Sequence, residues 1–422
     1  MAIKNIYKKI PTIVKTKCEI KVRLLQKFIE SNAHLPEQGS VEWLNYKKYK
    51  IGGSEISTIL GRNKYQTTKN LIESHVGLTK FPSFFAVHWG TLFEEAIRLQ
   101  INKMYDCDVI ETGSIQHPHH NYISLSPDGL AVVEKEIVLF EFKCPHSRLP
   151  TGDVPEHYID QPKLGMHTID IVDTSIFVEA VFRLTQFSDI IYNNKYNRNY
   201  HYKDMTKDGD VLLAANPSSC GVLIMHYVDK ETKEISMDID DLLDGDMEIS
   251  DSDNTLDELL KGINNKNCKS ITIGEDQIYD LGSINSSYMV NKILAGCSCK
   301  TRKCLSIEYS TLDNYNTNYG KNEHIDKFND DDLVHSLTHS LEKNINKIKQ
   351  NNNKILGIFP YKMMELHINK IERDNSIINE NTLDKITEVI DIIKQCDTLE
   401  QKEQKEIISE FHKKEKLLKK KK

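Results

Sequence analysis

Apolar residues between positions 90 and 104 recur at the spacing of one helix face, which predicts an amphipathic α-helix. Short apolar runs predict β-strands at residues 108–112, 122–126, 129–133, 137–143, 174–184 and 221–228. Between them, the pattern predicts helices at residues 54–60, 156–167 and 186–194. Because helices and strands are mixed along this stretch, residues 43–228 are predicted to form one α/β or α+β domain.

The remaining chain divides by charge. Residues 1–42 predict a basic helical segment, and residues 1–50 carry 11 Lys and Arg against 4 Asp and Glu. Residues 229–262 carry 3 against 13 and read as an acidic linker or insertion, whereas residues 263–422 end in a charged helix predicted at 379–418. The acidic block sets the overall charge of −7, so the average charge does not argue against a polyanionic ligand.

Composition excludes several classes of protein. No apolar run approaches the ~20 residues that a membrane-spanning helix needs. The basic first 27 residues contain no apolar core of a secretory signal. Nine cysteines, an odd number, do not favour a disulfide framework. The sequence therefore predicts a soluble, intracellular protein without a membrane partner.

The chemically informative residues follow one another in two short motifs. Asp128 lies in the turn sequence Ser-Pro-Asp-Gly-Leu, and Glu141 and Lys143 follow an apolar run that predicts a buried strand. Positions i and i+2 of a strand face the same side, so Glu141 and Lys143 are expected to project together. Asp128 can meet them from the neighbouring strand.

Such a group can bind Mg²⁺, which prefers oxygen ligands and uses one or two carboxylates. Asp128 and Glu141 would supply the carboxylates, and the backbone carbonyl of Phe142 a third ligand. Lys143 would orient the attacking water and neutralise charge on the phosphate. Each motif taken alone has a simpler explanation, however. Glu-x-Lys is common as an exposed ion pair, and Pro-Asp-Gly is common as an ordinary turn.

Four blocks in order, within residues 43–185, resemble the YqaJ-type viral recombinase family, the phage lambda exonuclease-like branch of the PD-(D/E)xK nucleases. They are residues 43–65, with Ile-Gly-Gly-Ser-Glu, residues 89–94, residues 126–145 and residues 158–166, with Tyr-Ile-Asp-Gln. The resemblance implies a restriction-endonuclease-like fold, with a mixed central β-sheet flanked by helices. To this fold the chain would add a mainly helical C-terminal extension.

The resemblance also implies a role for each matched residue. Asp128 and Glu141 correspond to the metal-binding carboxylates and Lys143 to the catalytic lysine. Glu94 corresponds to a helix glutamate that supports the metal directly or through water, and Gln161 to a glutamine that holds the attacking water or the lysine. Taken alone, Glu94 could be an N-terminal helix residue favoured by the helix dipole, and Gln161 a helix-surface amide.

Lys47 and Ser54 correspond to the site that binds the 5′-terminal phosphate of DNA. A basic side chain beside a helix N-terminus makes a good anion site. The phage enzyme has arginine where this chain has Lys47, so a bidentate contact is lost. Lys48 or Lys50 could replace it.

A second candidate site is the basic cysteine group formed by Cys297, Cys299 and Cys304. Its spacing resembles half of a CXC-type zinc module, but three thiolates are one ligand short of a structural zinc site. Cys268 or His324 could complete it. The alternative is three free thiols on a basic loop.

The sequence as a whole thus predicts a Mg²⁺-dependent deoxyribonuclease, in which Mn²⁺ could substitute. We favour a 5′→3′ exonuclease on linear duplex DNA in viral-type recombination or replication. The alternatives are a structure-specific endonuclease on the same fold and a non-catalytic DNA-binding scaffold. The resemblance further implies a ring-shaped homotrimer and a single-strand annealing partner. It leaves open whether the protein acts at a viral replication site or in the host cytoplasm or nucleus.

Overall fold

The structure is a computed structural model and describes most of the chain between Thr12 and Lys419. The described residues are 12–36, 41–79, 85–146, 148, 150–184, 202–203, 211–212, 220–227, 270–273, 276–279, 305–311, 341, 343–351 and 353–419. The helix predicted at 186–194, the acidic segment 229–262 and the cysteine group with Cys268 and His324 lie outside these residues. The zinc site therefore stays a prediction.

Eight α-helices have defined bounds. They are α1 (Thr12–Asn32), α2 (Val41–Lys47), α3 (Ile56–Ile59), α4 (Thr68–His75), α5 (Phe85–Tyr105), α6 (Glu156–Thr168), α7 (Glu380–Cys396) and α8 (Gln401–Lys419). Short 3₁₀ turns lie at Gly53–Glu55, just before α3, and at Asn375–Ile377. None of the helices in the described part of the chain is long and apolar enough to cross a membrane.

One sheet of eight strands forms the centre of the molecule. The strands with defined bounds are β1 (Ile115–Gln116), β2 (Ser124–Leu125), β3 (Gly129–Val133), β4 (Glu136–Lys143), β5 (Thr174–Leu184), β6 (Tyr202–Lys203), β7 (Val211–Leu212), β8 (Cys220–Tyr227), β9 (Ser270–Ile273), β10 (Asp276–Tyr279), β11 (Leu305–Thr311) and β12 (Lys354–Ile371). The order β11-β8-β12-β5-β4-β3 runs across the sheet, with β10 and β9 added beside β12. The pair β4 and β5 is parallel, whereas β12 runs antiparallel to β5 and β8. The predicted mixed α/β architecture is confirmed.

The apolar run of β4 is buried on both of its faces, as a continuous hydrophobic strand requires. Val138 and Phe140 pack with Phe93 of α5 on one face of the sheet. Ile137 and Leu139 pack on the other face, with Leu25 of α1 and residues of α6. The central sheet is therefore covered by helices on both sides, and the polar residues of β4 come only at its ends.

The sheet does not end at residue 228, where the sequence placed the domain boundary. The long strand β12 lies between β5 and β8, and β11 forms the edge beyond β8. Local patterning did not reveal β12, because its partners β5 and β8 lie more than 100 residues earlier in the chain. The C-terminal region is thus partly β-structure that completes the central sheet, followed by the helices α7 and α8.

Several predicted elements differ in extent. Helix α5 begins at Phe85 rather than at residue 90. The strand predicted at 108–112 is reduced to a single bridge at Ile110, and the one at 122–126 to Ser124–Leu125. These segments lie beside the main sheet, where few neighbouring strands are available for pairing. The basic segment 1–42 contains α1 and a turn, and α2 starts within it.

Candidate active site

The turn before β3 and the end of β4 bring the three central residues together. Glu141 is fully buried, and its carboxylate Oε1 is paired with the ammonium Nζ of Lys143 two residues further along the strand. The backbone N–H of Phe142 donates a 2.7 Å hydrogen bond to Oδ2 of Asp128. This bond holds Asp128, in the turn just before the neighbouring strand β3, against the end of β4 that carries Glu141 and Lys143. The spacing of the two motifs predicted this approach.

The carboxylates of Asp128, Glu141 and Glu94 repel one another in surroundings largely shielded from water. Burial and the charge of Asp128 raise the pKa of Glu141 to about 8, and the same two causes raise the pKa of Glu94 to about 7. Burial also raises the pKa of Asp128, although the charge of Lys143 opposes it. Burial opposes the charged form of Lys143, but Glu141 and Asp128 outweigh it and raise the pKa of the ammonium. A further positive charge would relieve this repulsion.

The oxygen atoms available here suit a hard divalent cation. Oε2 of Glu141 is buried and has no hydrogen-bond partner among the described residues. A buried carboxylate oxygen without a partner is costly, and a cation would satisfy it. No set of three or more His, Cys, Asp or Glu side chains that could hold a metal ion is found in the described part of the chain. Mg²⁺, however, commonly takes only one or two carboxylates, with waters and backbone or substrate oxygens.

Glu94 and Gln161 reach this place from two helices. Glu94 lies in the middle of α5, so it is not an N-terminal helix residue, and its neighbour Glu95 pairs instead with Arg98 at 3.0 Å. Gln161 lies on α6 with its side chain half-buried. Both line a single cleft of about 1440 Å³ with Asp128 and Lys143.

Lys47 and Ser54 line the same cleft. Lys47 is the last residue of α2, and its Nζ lies 4.6 Å from the ring centroid of Trp43. Ser54 is exposed on the 3₁₀ turn. A Cβ atom added to Gly53 would lie 2.4 Å from Cδ1 of Leu125 and 3.1 Å from Cγ of Gln161, so the turn packs directly on α6. The candidate phosphate-binding residues and Gln161 are therefore neighbours.

Lys48 and Lys50, the possible substitutes for the missing arginine, are both engaged elsewhere. Lys48 forms an ion pair with Asp397, which follows α7, and Lys50 donates to Oε1 of Gln116 at 2.6 Å. Of Lys47, Lys48 and Lys50, it is Lys47 that lies against the Gly52–Ser54 turn. A Cβ atom added to Gly52 would be 2.9 Å from the Nζ of Lys47.

Sequence reasoning gave no role to Glu55, which lies under this turn. Its carboxylate accepts from the backbone N–H of Gly52 at 2.6 Å and contacts Nε2 of His75 at 2.9 Å. Burial disfavours the charge of Glu55, but His75 and Lys47 outweigh it and lower the pKa to about 2. Burial likewise disfavours the charge of His75, yet the contact with Glu55 raises its pKa. Only the folded chain brings His75 to Glu55, so no local pattern could have revealed the pair.

Replacing Glu55 by glutamine is expected to lower the free energy of unfolding by about 3 kcal/mol at pH 5.5, because folding lowers the pKa of Glu55 from 4.5 to about 2 and each pKa unit corresponds to about 1.4 kcal/mol. The depressed pKa of Glu55 contributes stability above its ordinary pKa of 4.5, and this is lost as the pH falls towards 2. The raised pKa of His75 contributes stability below 6.5, which is lost as the pH rises through its folded value. Urea unfolding between pH 3 and pH 8 measures both effects.

Glu73→Gln is the matched control for this experiment, because Glu73 forms an i,i+4 pair with Lys69 on the surface of α4, at 3.5 Å. That change is expected to cost no more than about 0.5 kcal/mol. A penalty for Glu55→Gln that is as large at pH 3 as at pH 5.5 would contradict the assigned pKa.

Two further cleft residues were not singled out from the sequence. The Nζ of Lys143 lies 5.4 Å from the ring centroid of Tyr158 on α6. Arg148 lines the cleft and forms an ion pair with the buried Glu179, which is the β5 partner of Lys143 in the parallel pair. The i+2 spacing of Glu141 and Lys143 carries no information about either contact, since both depend on how the neighbouring elements dock.

Residues 42–171 match the family described as YqaJ-like viral recombinase domain. The chain is 25% identical over 206 residues to a protein of African swine fever virus (strain Badajoz 1971 Vero-adapted), covering 42% of this chain and 59% of the relative. It is 25% identical over 181 residues to the uncharacterized protein YqaJ of Bacillus subtilis (strain 168), covering 42% and 53%. The chain thus spans somewhat more than half the length of these curated relatives.

Among solved structures, an alkaline exonuclease (LHK-Exo) from Laribacter hongkongensis aligns with 34% of this chain and 74% of its own, at 24% identity and a TM-score of 0.29. Its complex with dAMP aligns with 33% and 73%, at 25% identity and the same TM-score. The matched region 42–171 contains Asp128, Glu141, Lys143, Glu94 and Gln161. The resemblance of this region to the YqaJ-like viral recombinase family, predicted from the four motifs, is therefore confirmed.

Proposed function

We propose that this cleft hydrolyses phosphodiester bonds of DNA with a bound divalent cation, Mg²⁺ or in its place Mn²⁺. The observation that carries the proposal is the fully buried Glu141, whose Oε2 lacks a partner in the described chain while Asp128 and Lys143 crowd beside it. A fold does not keep such a costly group for stability alone, and strongly shifted pKa values in a cleft mark functional sites.

Each residue then has a physical task. Asp128, Glu141 and the carbonyl of Phe142 would hold the cation, with Glu94 joining directly or through water. Held by these residues, a cation would lower the pKa of a water molecule and neutralise charge on the phosphate. Lys143 stays charged at neutral pH, because its pKa is raised, so it acts by stabilising negative charge and orienting the water rather than by removing a proton. Gln161 holds that water or Lys143 from α6.

We further propose that the enzyme is a 5′→3′ exonuclease on linear duplex DNA. Lys47 and Ser54 support this reading, since both line the same cleft as the hydrolytic group. Ser54 lies on the turn that packs against Gln161, and the ammonium of Lys47 lies against the same turn. A 5′-terminal phosphate carries more charge than an internal one, so a basic group at a fixed distance from the reacting bond selects for ends. The description of the matching family favours a role in viral-type recombination or replication.

The test is incubation of the purified chain and Mg²⁺ with three DNA substrates: linear 5′-phosphorylated duplex, linear 5′-hydroxyl duplex and closed circular duplex. We expect loss of the linear substrates only, faster with the 5′-phosphate, and none when the cation is chelated. Cleavage of circles would replace the exonuclease by an endonuclease on the same fold. Binding without cleavage in either Mg²⁺ or Mn²⁺ would leave a DNA-binding scaffold.

The ring-shaped homotrimer and the single-strand annealing partner implied by the resemblance belong to the same proposal. Sedimentation of the purified chain gives its oligomeric state, and a monomer at working concentration would remove the ring from the proposal.

A further inference from the structure

Tyr65 is an aromatic side chain left exposed at the mouth of the cleft. It is 71% exposed, the most of any large apolar side chain in the described part of the chain, and it lines the same cleft as Lys143. A large aromatic ring gains about 1.5–3 kcal/mol from burial, so leaving it in water has a cost that packing does not recover. An exposed aromatic at a cleft entrance is therefore a candidate contact for a ligand with a flat apolar face.

The backbone holds Tyr65 in place. Its N–H donates to Oδ1 of Asn63 at 2.9 Å, and Asn63 is itself fixed because its Nδ2 donates to Oγ1 of Thr58 at 3.0 Å. The preceding Arg62 donates to Oδ1 of the fully buried Asp160 on α6, at 2.6 Å. The turn that carries Tyr65 is thus tied to α6, so the ring is presented without a loss of backbone freedom on binding.

A row of rings leads from Tyr65 to Lys143. Tyr65 meets His157 edge-on, with centroids 5.2 Å apart, and His157 lies 4.1 Å from the ring of Tyr158. The Nζ of Lys143 lies 5.4 Å from the ring centroid of Tyr158, and the Nζ of Lys64 lies 5.1 Å from the ring centroid of Tyr65. The row therefore begins in solvent and ends at the proposed catalytic lysine, with a cation near each end.

His157 adds a polar atom to this row. Its Nε2 is buried and has no hydrogen-bond partner among the described residues. Burial lowers the pKa of His157, so the ring is neutral at neutral pH and offers one donor or acceptor rather than a charge. His157 lines the same cleft as Tyr65, so a ligand that stacks on Tyr65 lies beside this ring. A nucleobase has a flat face for Tyr65 and a polar edge for the neighbouring groups of the cleft.

We propose that Tyr65 and His157 form a stacking subsite for an unpaired nucleobase, at the point where a DNA strand leaves the duplex and enters the cleft. This inference rests on the proposed function and adds a substrate preference to it. Aromatic rings bind bases of any sequence, because every base has a π-face, and phosphates alongside are met by lysines such as Lys64. The expected preference is for ends with a few unpaired nucleotides.

The test measures equilibrium binding of duplexes whose terminal overhang carries either normal nucleotides or abasic ones, with the full chain and Ca²⁺ in place of Mg²⁺. The wild-type chain should bind the overhang with bases about tenfold more tightly than the abasic one, the lower part of the range for one stacked base. Tyr65→Ala should remove this preference, whereas Tyr65→Phe should keep it because the ring remains. His157→Ala should reduce it.

Ile20→Ala is the matched control, since Ile20 is also exposed, at 59%, and lies on α1 rather than in the cleft wall. An unchanged preference in Tyr65→Ala, or an equal loss in Tyr65→Phe, would overturn the stacking subsite. If these DNAs are bound in Ca²⁺ and hydrolysed when Mg²⁺ is supplied, the proposed function stands and only this inference fails. Failure of the wild-type chain to bind any of these DNAs would overturn both.

Discussion

Lys143→Ala is expected to slow hydrolysis of linear DNA by about 10²–10⁴-fold, the range for loss of one positioned catalytic group. The change removes the positive charge that pairs with Glu141 and that keeps part of the charge repulsion at the site in check. Two of its neighbours, Glu141 and Asp128, then repel each other without compensation. We expect the affinity for DNA to change far less than the rate, because other basic residues line the cleft. Single-turnover kinetics with excess enzyme separate these two quantities.

Lys163→Ala is the matched control for this variant. Lys163 lies on α6, the helix that carries Gln161. Its Nζ pairs with Asp374 at 2.8 Å, and the residue does not line the cleft. Its loss should leave the rate within a few-fold of wild type. Lys143→Ala with a rate like that of Lys163→Ala would mean that the lysine is only an ion-pair partner, and the hydrolytic role would have to be abandoned.

A chain that ends at residue 353 is expected not to fold. It lacks β12, which pairs along its length with β5 and β8 and therefore holds the two halves of the sheet together. The buried large side chains of this strand are Ile358, Phe359, Tyr361, Met363, Leu366 and Ile368. At about 1.5–3 kcal/mol each, their burial contributes roughly 10 kcal/mol or more, comparable to the ~5–15 kcal/mol by which a whole domain is stable.

A chain that ends at residue 400 is the control. It keeps β12 and α7 and loses α8, whose buried residues in the described part are Ile408 and Gln404. We expect this shorter chain to fold with reduced stability. Circular dichroism and thermal unfolding compare the two. A folded, cooperative chain without β12 would show that the central sheet does not need this strand, in line with the domain boundary at residue 228 that the sequence suggested.

Local sequence patterns predicted much of the central site. The apolar run of β4 followed by Glu141 and Lys143 predicted a buried strand with two polar residues on one side, and the turn at Asp128 predicted its neighbour. These hold because strand periodicity and turn chemistry act over a few residues. The role of Glu94 and Gln161 came only from the resemblance, since nothing in their own neighbourhoods distinguishes them from surface residues.

The contacts that the sequence did not predict join distant parts of the chain. Asp397 after α7 contacts Tyr49 and Lys48 near the cleft, and one apolar cluster joins Ile56 and Ile72 with Ile390 of α7. These residues are separated by more than 300 positions. Periodicity shows which face of each helix is apolar, but not which of several apolar faces it meets.

The sequence by itself determined the mixed α/β class, the strand and turn that bear Asp128, Glu141 and Lys143, and the resemblance of residues 42–171 to the YqaJ-like viral recombinase family. The tertiary structure alone decided that β12 completes the sheet, that Glu55 is paired with His75, and that Tyr65 lies at the solvent end of a row of rings. The division has a physical reason. Backbone periodicity and turn preferences are local, whereas strand pairing, the partners of buried charges and the walls of a cleft depend on which distant surfaces bury one another.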